Sequence, residues 1–100
     1  MISRIKGELV SVGDASALVE VAGISYELMI PSALAERLKE TGIGKEISFE
    51  TIYFIEAGDK KANEYPRLVG FLDPLDREFF SLLTQVSGMG VRKALKSLIL

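Results

Sequence analysis

The residue pattern predicts a mainly β chain with an α-helical C-terminal part: an OB-fold barrel over residues 1–71, then a helix-hairpin-helix segment over 72–100. Three observations carry this prediction. Five short segments with period-two alternation fill the region up to Phe71. A single short helical segment interrupts them, as in a small, partly open barrel of the OB type. After Phe71 the apolar period becomes helical, and Gly88-Met89-Gly90 divides it into two stretches.

Taken in order, Ile2 to Val12 alternates, with Ile5 and Leu9 on one face and Arg4, Lys6 and Glu8 on the other. Gly7 marks a bulge or sharp bend in a curved strand. Gly13-Asp14 forms a turn and Leu18 to Ala22 a short strand. After Gly23, the residues Ile24, Tyr26, Leu28 and Ile30 face one way, with Ser25 and Glu27 opposite. Pro31 ends that strand, and Ser32 is placed to cap a helix over Ala33–Glu40 that Gly42 closes. Glu46 to Ile55 alternates again, Ala57 to Pro66 is polar and reads as a loop, and Leu68 to Phe71 is a last strand. A barrel of this size buries only about 60% of its unfolded surface, so support from neighbouring subunits or domains is expected.

The helical part starts at Asp73-Pro74, an N-cap followed by the proline favoured at the first helical position. Leu75, Phe79, Leu82, Leu83 and Val86 follow at helical spacing, and Val91 to Leu100 restarts a helix with Ala94, Leu95, Leu98 and Ile99 apolar. This stripe reaches Leu100 with no capping signal and needs a partner surface that these residues do not supply, the pattern of a piece cut from a longer domain.

Composition narrows the chemistry. The 48% hydrophobic and 26% charged content belongs to a folded domain. Cysteine and histidine are both absent. Disulfides, thiolate metal sites and the usual base–nucleophile pairs are therefore excluded, and neither a cofactor nor a metal site is expected. The carboxylates lack metal-ligand spacing and no Walker-type loop is present, so intrinsic nucleotide hydrolysis is not expected. Arg4 and Lys6 break any signal-peptide pattern, and no apolar run approaches the roughly 20 residues of a membrane span. The expected location is the cytoplasm, with no membrane partner. From Met1 to Phe71 there are 8 basic and 11 acidic residues, whereas Phe79 to Leu100 carries Arg92, Lys93 and Lys96 and no acid. A nucleic-acid contact therefore belongs near the C-terminus.

Gly88-Met89-Gly90 before a basic helix has a specific chemical use. Glycines permit a tight turn whose N–H groups point outward at a helix N-terminus, where a phosphate can dock, and Arg92 and Lys93 lie in the first turn of that helix. Such contacts carry no base information. An ordinary helix–helix turn with solvated charges fits the same residues. Gly42-Ile43-Gly44-Lys45 has a similar pattern, but a strand follows it, so it reads as a plain connecting turn. Tyr26, Phe49 and Tyr53 share faces with aliphatic residues and read as core rather than as base-stacking platforms. Ile52 and Phe54 fall on the opposite face of their strand, between Glu50 and Glu56. They mark a subunit or domain contact, or a surface covered by a helix of the same chain.

The opening Met1-Ile2-Ser3-Arg4-Ile5-Lys6-Gly7, the run Val19 to Leu28 through Pro31, Leu68-Val69-Gly70-Phe71, and the run Arg77-Glu78-Phe79-Phe80 through Val86 to Leu95 together resemble the RuvA family. The similarity spans nearly the whole chain in the same order. It implies an OB-fold first domain, a second domain with two helix-hairpin-helix motifs, and a third domain that binds a RuvB-type ATPase motor. It further implies a homotetramer, or an octamer, that holds a four-way (Holliday) junction open and flat during branch migration in recombination and repair. The ATPase would be the partner, not this chain, which covers the first domain and the first hairpin motif. The family also carries two adjacent acidic residues near the junction centre. Glu56 matches the first, but Ala57 stands at the second, in a longer loop where Asp59 is a candidate replacement. Val91 stands where the family often has proline. An OB-fold oligomerisation module and a single-strand-binding module are the competing functional readings.

Overall fold

The computed structural model describes residues 2–57, 64–86 and 90–98, and for residues 55–57, 64, 65, 86, 92 and 97 it describes the backbone alone. Five strands, β1 (Arg4–Val12), β2 (Ser16–Val21), β3 (Ile24–Met29), β4 (Glu46–Ala57) and β5 (Glu64–Phe71), form a barrel in the order β1-β2-β3-β5-β4. Helix α1 (Ser32–Thr41) lies between β3 and β4 in sequence; α2 (Pro74–Val86) and α3 (Val91–Ser97) follow the barrel. All neighbouring strands are antiparallel except β3 and β5. This is an OB-like arrangement. It is closed rather than partly open, because β1 pairs with β4 from Arg4↔Glu50 to Glu8↔Glu46.

Alternation explains the core. Ile5 and Leu9 of β1, Ala17 and Val19 of β2, Leu28 of β3, Phe49 of β4 and Leu68 of β5 point inward and are buried. Leu34, Ala35 and Leu38 form the apolar face of α1 and join the same cluster. Each buried large aliphatic side chain contributes on the order of 1.5–3 kcal/mol through loss of apolar surface to water.

Several details depart from the sequence reading, each for a local reason. The β1 irregularity falls between Leu9 and Ser11, which pair with Val19 and Leu18, so Val10 is the inserted residue and not Gly7. Gly7 meets a different demand, close approach: a Cβ there would run into the Glu20 carbonyl oxygen and lie 2.8 Å from Val21 Cγ2. Strand β2 begins at Ser16, two residues before the expected start, because Gly13 N–H bonds to the Ser16 carbonyl at 2.8 Å and closes the β1–β2 turn earlier. The β2–β3 link is the two-residue turn Ala22-Gly23, with φ of 51° and 84°, the backbone of a type I′ hairpin. Pro31, not Ser32, is the N-cap of α1; its carbonyl accepts from Ala35 N–H at 3.0 Å, and no side chain caps the helix. Gly42 closes α1 as expected, its N–H bonded to the Leu38 carbonyl at 2.9 Å.

The largest correction concerns residues 57–66. They are not simply a loop, since β4 continues to Ala57 and β5 begins at Glu64, with pairs running to Glu56↔Tyr65 and Ala57↔Glu64. Pro66 sits inside β5, beyond the β3–β5 pairs at Leu68 and Val69, where its missing N–H breaks no recorded bond to β3. Tyr53, expected in the core, is 37% exposed, and Ile24 is 58% exposed. Ile24 is the first residue of β3, whereas Tyr53 lies within β4 opposite the buried Leu68. Tyr26 is partly buried and Phe49 wholly so.

Replacing Gly7 with valine should destabilise the barrel by about 2 kcal/mol, as overpacking against fixed backbone does. Chemical denaturation of the two forms checks this; an unchanged midpoint would show that β1 and β2 can move apart at that point.

Candidate nucleic-acid interface

The helical part is built onto the outer face of β4 and β5. Side chains on that face alternate with the core: Val69 and Phe71 of β5 point outward and are fully buried beneath Phe80 of α2 and Ala94, Leu95 and Leu98 of α3. The Phe71 and Phe80 rings pack with centroids 5.2 Å apart and a tilt of 48°. Ile52 and Phe54 pack, partly buried, against this same cluster. The covering of this face by helices of the same chain, the alternative to a subunit contact, accounts for their burial.

Asp73 starts α2 as its sequence predicts. Its Oδ1 accepts from Leu75 N–H at 2.9 Å, and its carbonyl accepts from Asp76 and Arg77 N–H at 3.1 and 3.3 Å. The face that α2 buries differs, however, from the stripe its spacing marks out. Phe80 is buried and Leu83 partly so, while Leu75, Phe79 and Leu82 are 71%, 53% and 56% exposed. The helix is apolar on two sides, and helical spacing alone could not select the one that meets the barrel.

Among the phosphate-site candidates, Gly88 and Met89 lie outside the described residues, and for Arg92 only the backbone is described. Gly90 is exposed and is the N-cap of α3, with extended backbone (φ −68°, ψ 159°) and its carbonyl accepting from Ala94 N–H at 2.9 Å. Lys93 is exposed, whereas Ala94 and Leu95 are buried, so this short helix turns its apolar side to the barrel. It ends at Ser97 instead of continuing to Leu100, because Leu98 adopts extended backbone (φ −80°, ψ 122°). Glu56 lies in the part of the β4–β5 ladder beyond Phe54, and Asp59 lies outside the described residues. One ladder thus carries both the backbone of the acidic candidate and the platform for α3.

A crevice of about 520 Å3 between β2, β3, the start of α1 and α3 is lined by Asp14, Glu27, Arg67 and Lys96 among others. Its mixed signs do not match a polyanion. Among the described residues no group of three metal-ligating side chains occurs and no helix is long and apolar enough to cross a membrane.

The fold and its attached helices define a class: an OB-like barrel bearing a helical pair on one ladder. Comparison with known proteins narrows it. The model of the RuvA N terminal domain matches residues 1–56, and the chain belongs to that family. Its relatives include proteins named Holliday junction branch migration complex subunit RuvA. The one from Rhodopirellula baltica is 35% identical over 99 residues, which cover 99% of this chain and 47% of that protein. Those from Opitutus terrae and Desulforudis audaxviator are 38% and 39% identical, each over 95% of this chain and 44% and 43% of the relative. The chain therefore spans about half the length of the relatives it matches.

Replacing Phe80 with alanine removes the side chain that joins α2 to β5 and should cost about 3–5 kcal/mol. Thermal unfolding followed by circular dichroism measures this; a loss well below that range would mean that α2 is held by other contacts.

Proposed function

We propose that this chain is the junction-binding portion of a RuvA-type subunit, which binds four-way junction DNA without base specificity and serves an ATP-dependent branch-migration motor. The observation that carries this reading is the match of 35% identity over 99% of the chain, extending past the barrel through α2 and α3, to a relative named as that subunit. In this reading residues 1–71 are the barrel unit and 72–100 the first helix-hairpin-helix of the DNA-binding unit. Gly88, Met89 and Gly90 present backbone N–H groups to a phosphate, and Arg92 and Lys93 supply the countercharge. The exposed Gly90 and Lys93, beside the buried Ala94 and Leu95, favour this orientation. The chain has no catalytic centre of its own in this reading; a RuvB-type ATPase, bound through a segment beyond residue 100, supplies the motor, and the assembly is a homotetramer or octamer.

Glu56, with Asp59 as a substitute for the missing second acid, acts through repulsion. A carboxylate near the crossover faces phosphates of its own sign and cannot raise affinity. It penalises a closed, stacked junction and so favours the open form. Symmetric repetition about the junction centre adds these penalties together.

Gel-shift titration of the intact protein against four-way junction, duplex and single strand tests the reading, with preference for the junction expected. Preference for single strand would instead favour a base-stacking role for the barrel. Arg92→Glu with Lys93→Glu should weaken junction binding steeply without unfolding the protein, and each lost phosphate contact should flatten the slope of log K against log salt by about 1. Wild-type affinity and slope in that variant would exclude phosphate docking by these residues. Glu56→Gln with Asp59→Asn should leave junction affinity equal or tighter while lowering the junction-to-duplex ratio. An unchanged ratio, with unchanged branch migration when the motor is added, would remove the acidic role.

A further inference from the structure

The outer face of β4 is apolar at Ile52 and Phe54, yet the residue preceding them on that face is Glu50, only 9% exposed. A buried carboxylate is costly unless it is paired. Glu50 is paired from two directions. Arg4, its cross-strand neighbour on β1, donates from Nε to Oε2 at 2.7 Å. Arg77, on the second turn of α2, places Nη1 3.6 Å from Oε1 and donates from the same nitrogen to the Ser3 carbonyl at 3.2 Å. The side chain of Arg4 is 66% exposed and that of Arg77 30%, so the link that crosses to the helix is the better shielded of the two.

The two kinds of contact between α2 and the barrel constrain different things. The cluster around Phe71 and Phe80 supplies contact area, but apolar packing is weakly directional and allows a helix to slide or rotate with small loss. A guanidinium hydrogen-bonded to a backbone carbonyl and ion-paired at 3.6 Å with a carboxylate admits fewer arrangements than apolar packing does. An apolar residue at position 50 would extend the Ile52–Phe54 surface and is the ordinary choice for stability alone.

We propose that Glu50 is a positioning residue for DNA binding: held between Arg4 and Arg77, it fixes α2, and with it α3 and its exposed Lys93, in one orientation on the barrel. The proposal rests on the reading that the start of α3 docks phosphate. It identifies what sets the spacing between the hairpin and the acidic tip of the β4–β5 ladder, on which discrimination between junction and duplex depends.

Residues 1–100 contain no cysteine, so with any cysteine beyond them replaced by serine, Ser11→Cys and Gln85→Cys, both at exposed positions, place one spin label on β1 and one on α2 of the intact protein. Pulsed electron spin resonance then reads the barrel-to-helix distance, and parallel gel shifts read the junction-to-duplex ratio. The otherwise unaltered protein should give one narrow distance distribution. Glu50→Gln should broaden or shift it and lower the ratio by about fivefold, the upper scale of one lost partly exposed ion pair. Arg77→Gln should do the same while sparing the Arg4–Glu50 pair within the barrel, and serves if the Glu50 variant fails to fold. Arg4→Gln, which leaves the link to α2 in place, should keep the narrow distribution. Val19→Ala, a cavity in the barrel core, should lower the melting temperature without broadening it. An unchanged distribution in Arg77→Gln, a broadened one with an unchanged ratio, or equal broadening in Val19→Ala would each overturn the proposal. An otherwise unaltered protein without junction preference would instead overturn the functional reading, and the distances alone would then decide the clamp.

Discussion

The double burial of the β4–β5 ladder is the constraint on which the rest of the structure depends. Its inner face, through Phe49 and Leu68, completes the barrel core; its outer face, through Ile52, Phe54, Val69 and Phe71, is the seat of α2 and α3. A sheet with water on one side needs alternating character, whereas these strands must be apolar on both. The run Leu68-Val69-Gly70-Phe71 meets that requirement, and Gly70 does so by omission: a side chain there would press on Leu28 and Phe49, at 3.0 and 3.1 Å. Because the two clusters share strands, the barrel and the helices are not independent bodies joined by a tether. What happens at Phe71 is felt on both sides.

The start of the chain is tied into the same corner. Thr51 donates from Oγ1 to the Ile2 carbonyl at 2.8 Å and from N–H to the Ser3 carbonyl at 2.9 Å, and Arg77 reaches Ser3 from α2. Three segments distant in sequence therefore converge where β1 passes β4. Thr51 is 3% exposed, and its hydroxyl is satisfied by that backbone contact. The polar groups gathered here are paired with one another, so the corner is held by directional bonds, in contrast to the apolar packing farther along the ladder.

Much of this was legible in the sequence where a local rule decides the outcome. The inward positions of Ile5, Leu9, Leu28 and Phe49 follow from alternation, and the start of α2 follows from Asp73-Pro74. Apart from the local shifts at the β1 bulge, the β1–β2 turn and the cap of α1, the misreadings share a cause: each needed knowledge of what lies across space. The extension of β4 and β5 through polar residues is fixed by pairing between strands and not by burial, so no hydrophobic pattern announces it. Both apolar sides of α2 obey helical spacing, and only the position of β5 selects Phe80 over Phe79. Glu50 looked like an outward polar residue because its partners are 46 residues before it on β1 and on a helix that follows the barrel. Of the candidate interface, the residue types and their order were legible; the ladder that carries them was not.

The order of the strands also dictates how this chain can fold. Strands β1, β2 and β3 form neighbouring hairpins and can assemble as soon as they exist. Yet β1 must wait for β4 to cover its free edge, and β3 must wait for β5, the last strand. Until then a growing chain presents two unpaired strand edges, the kind of surface on which strangers pair. Closure therefore depends on pairings of long sequence separation, whose loop-entropy cost precedes the contacts that repay it. Arg4, Lys6 and Glu8 along β1 are charges of the kind that discourages pairing with strangers on such an edge, which in the closed barrel is an interior seam.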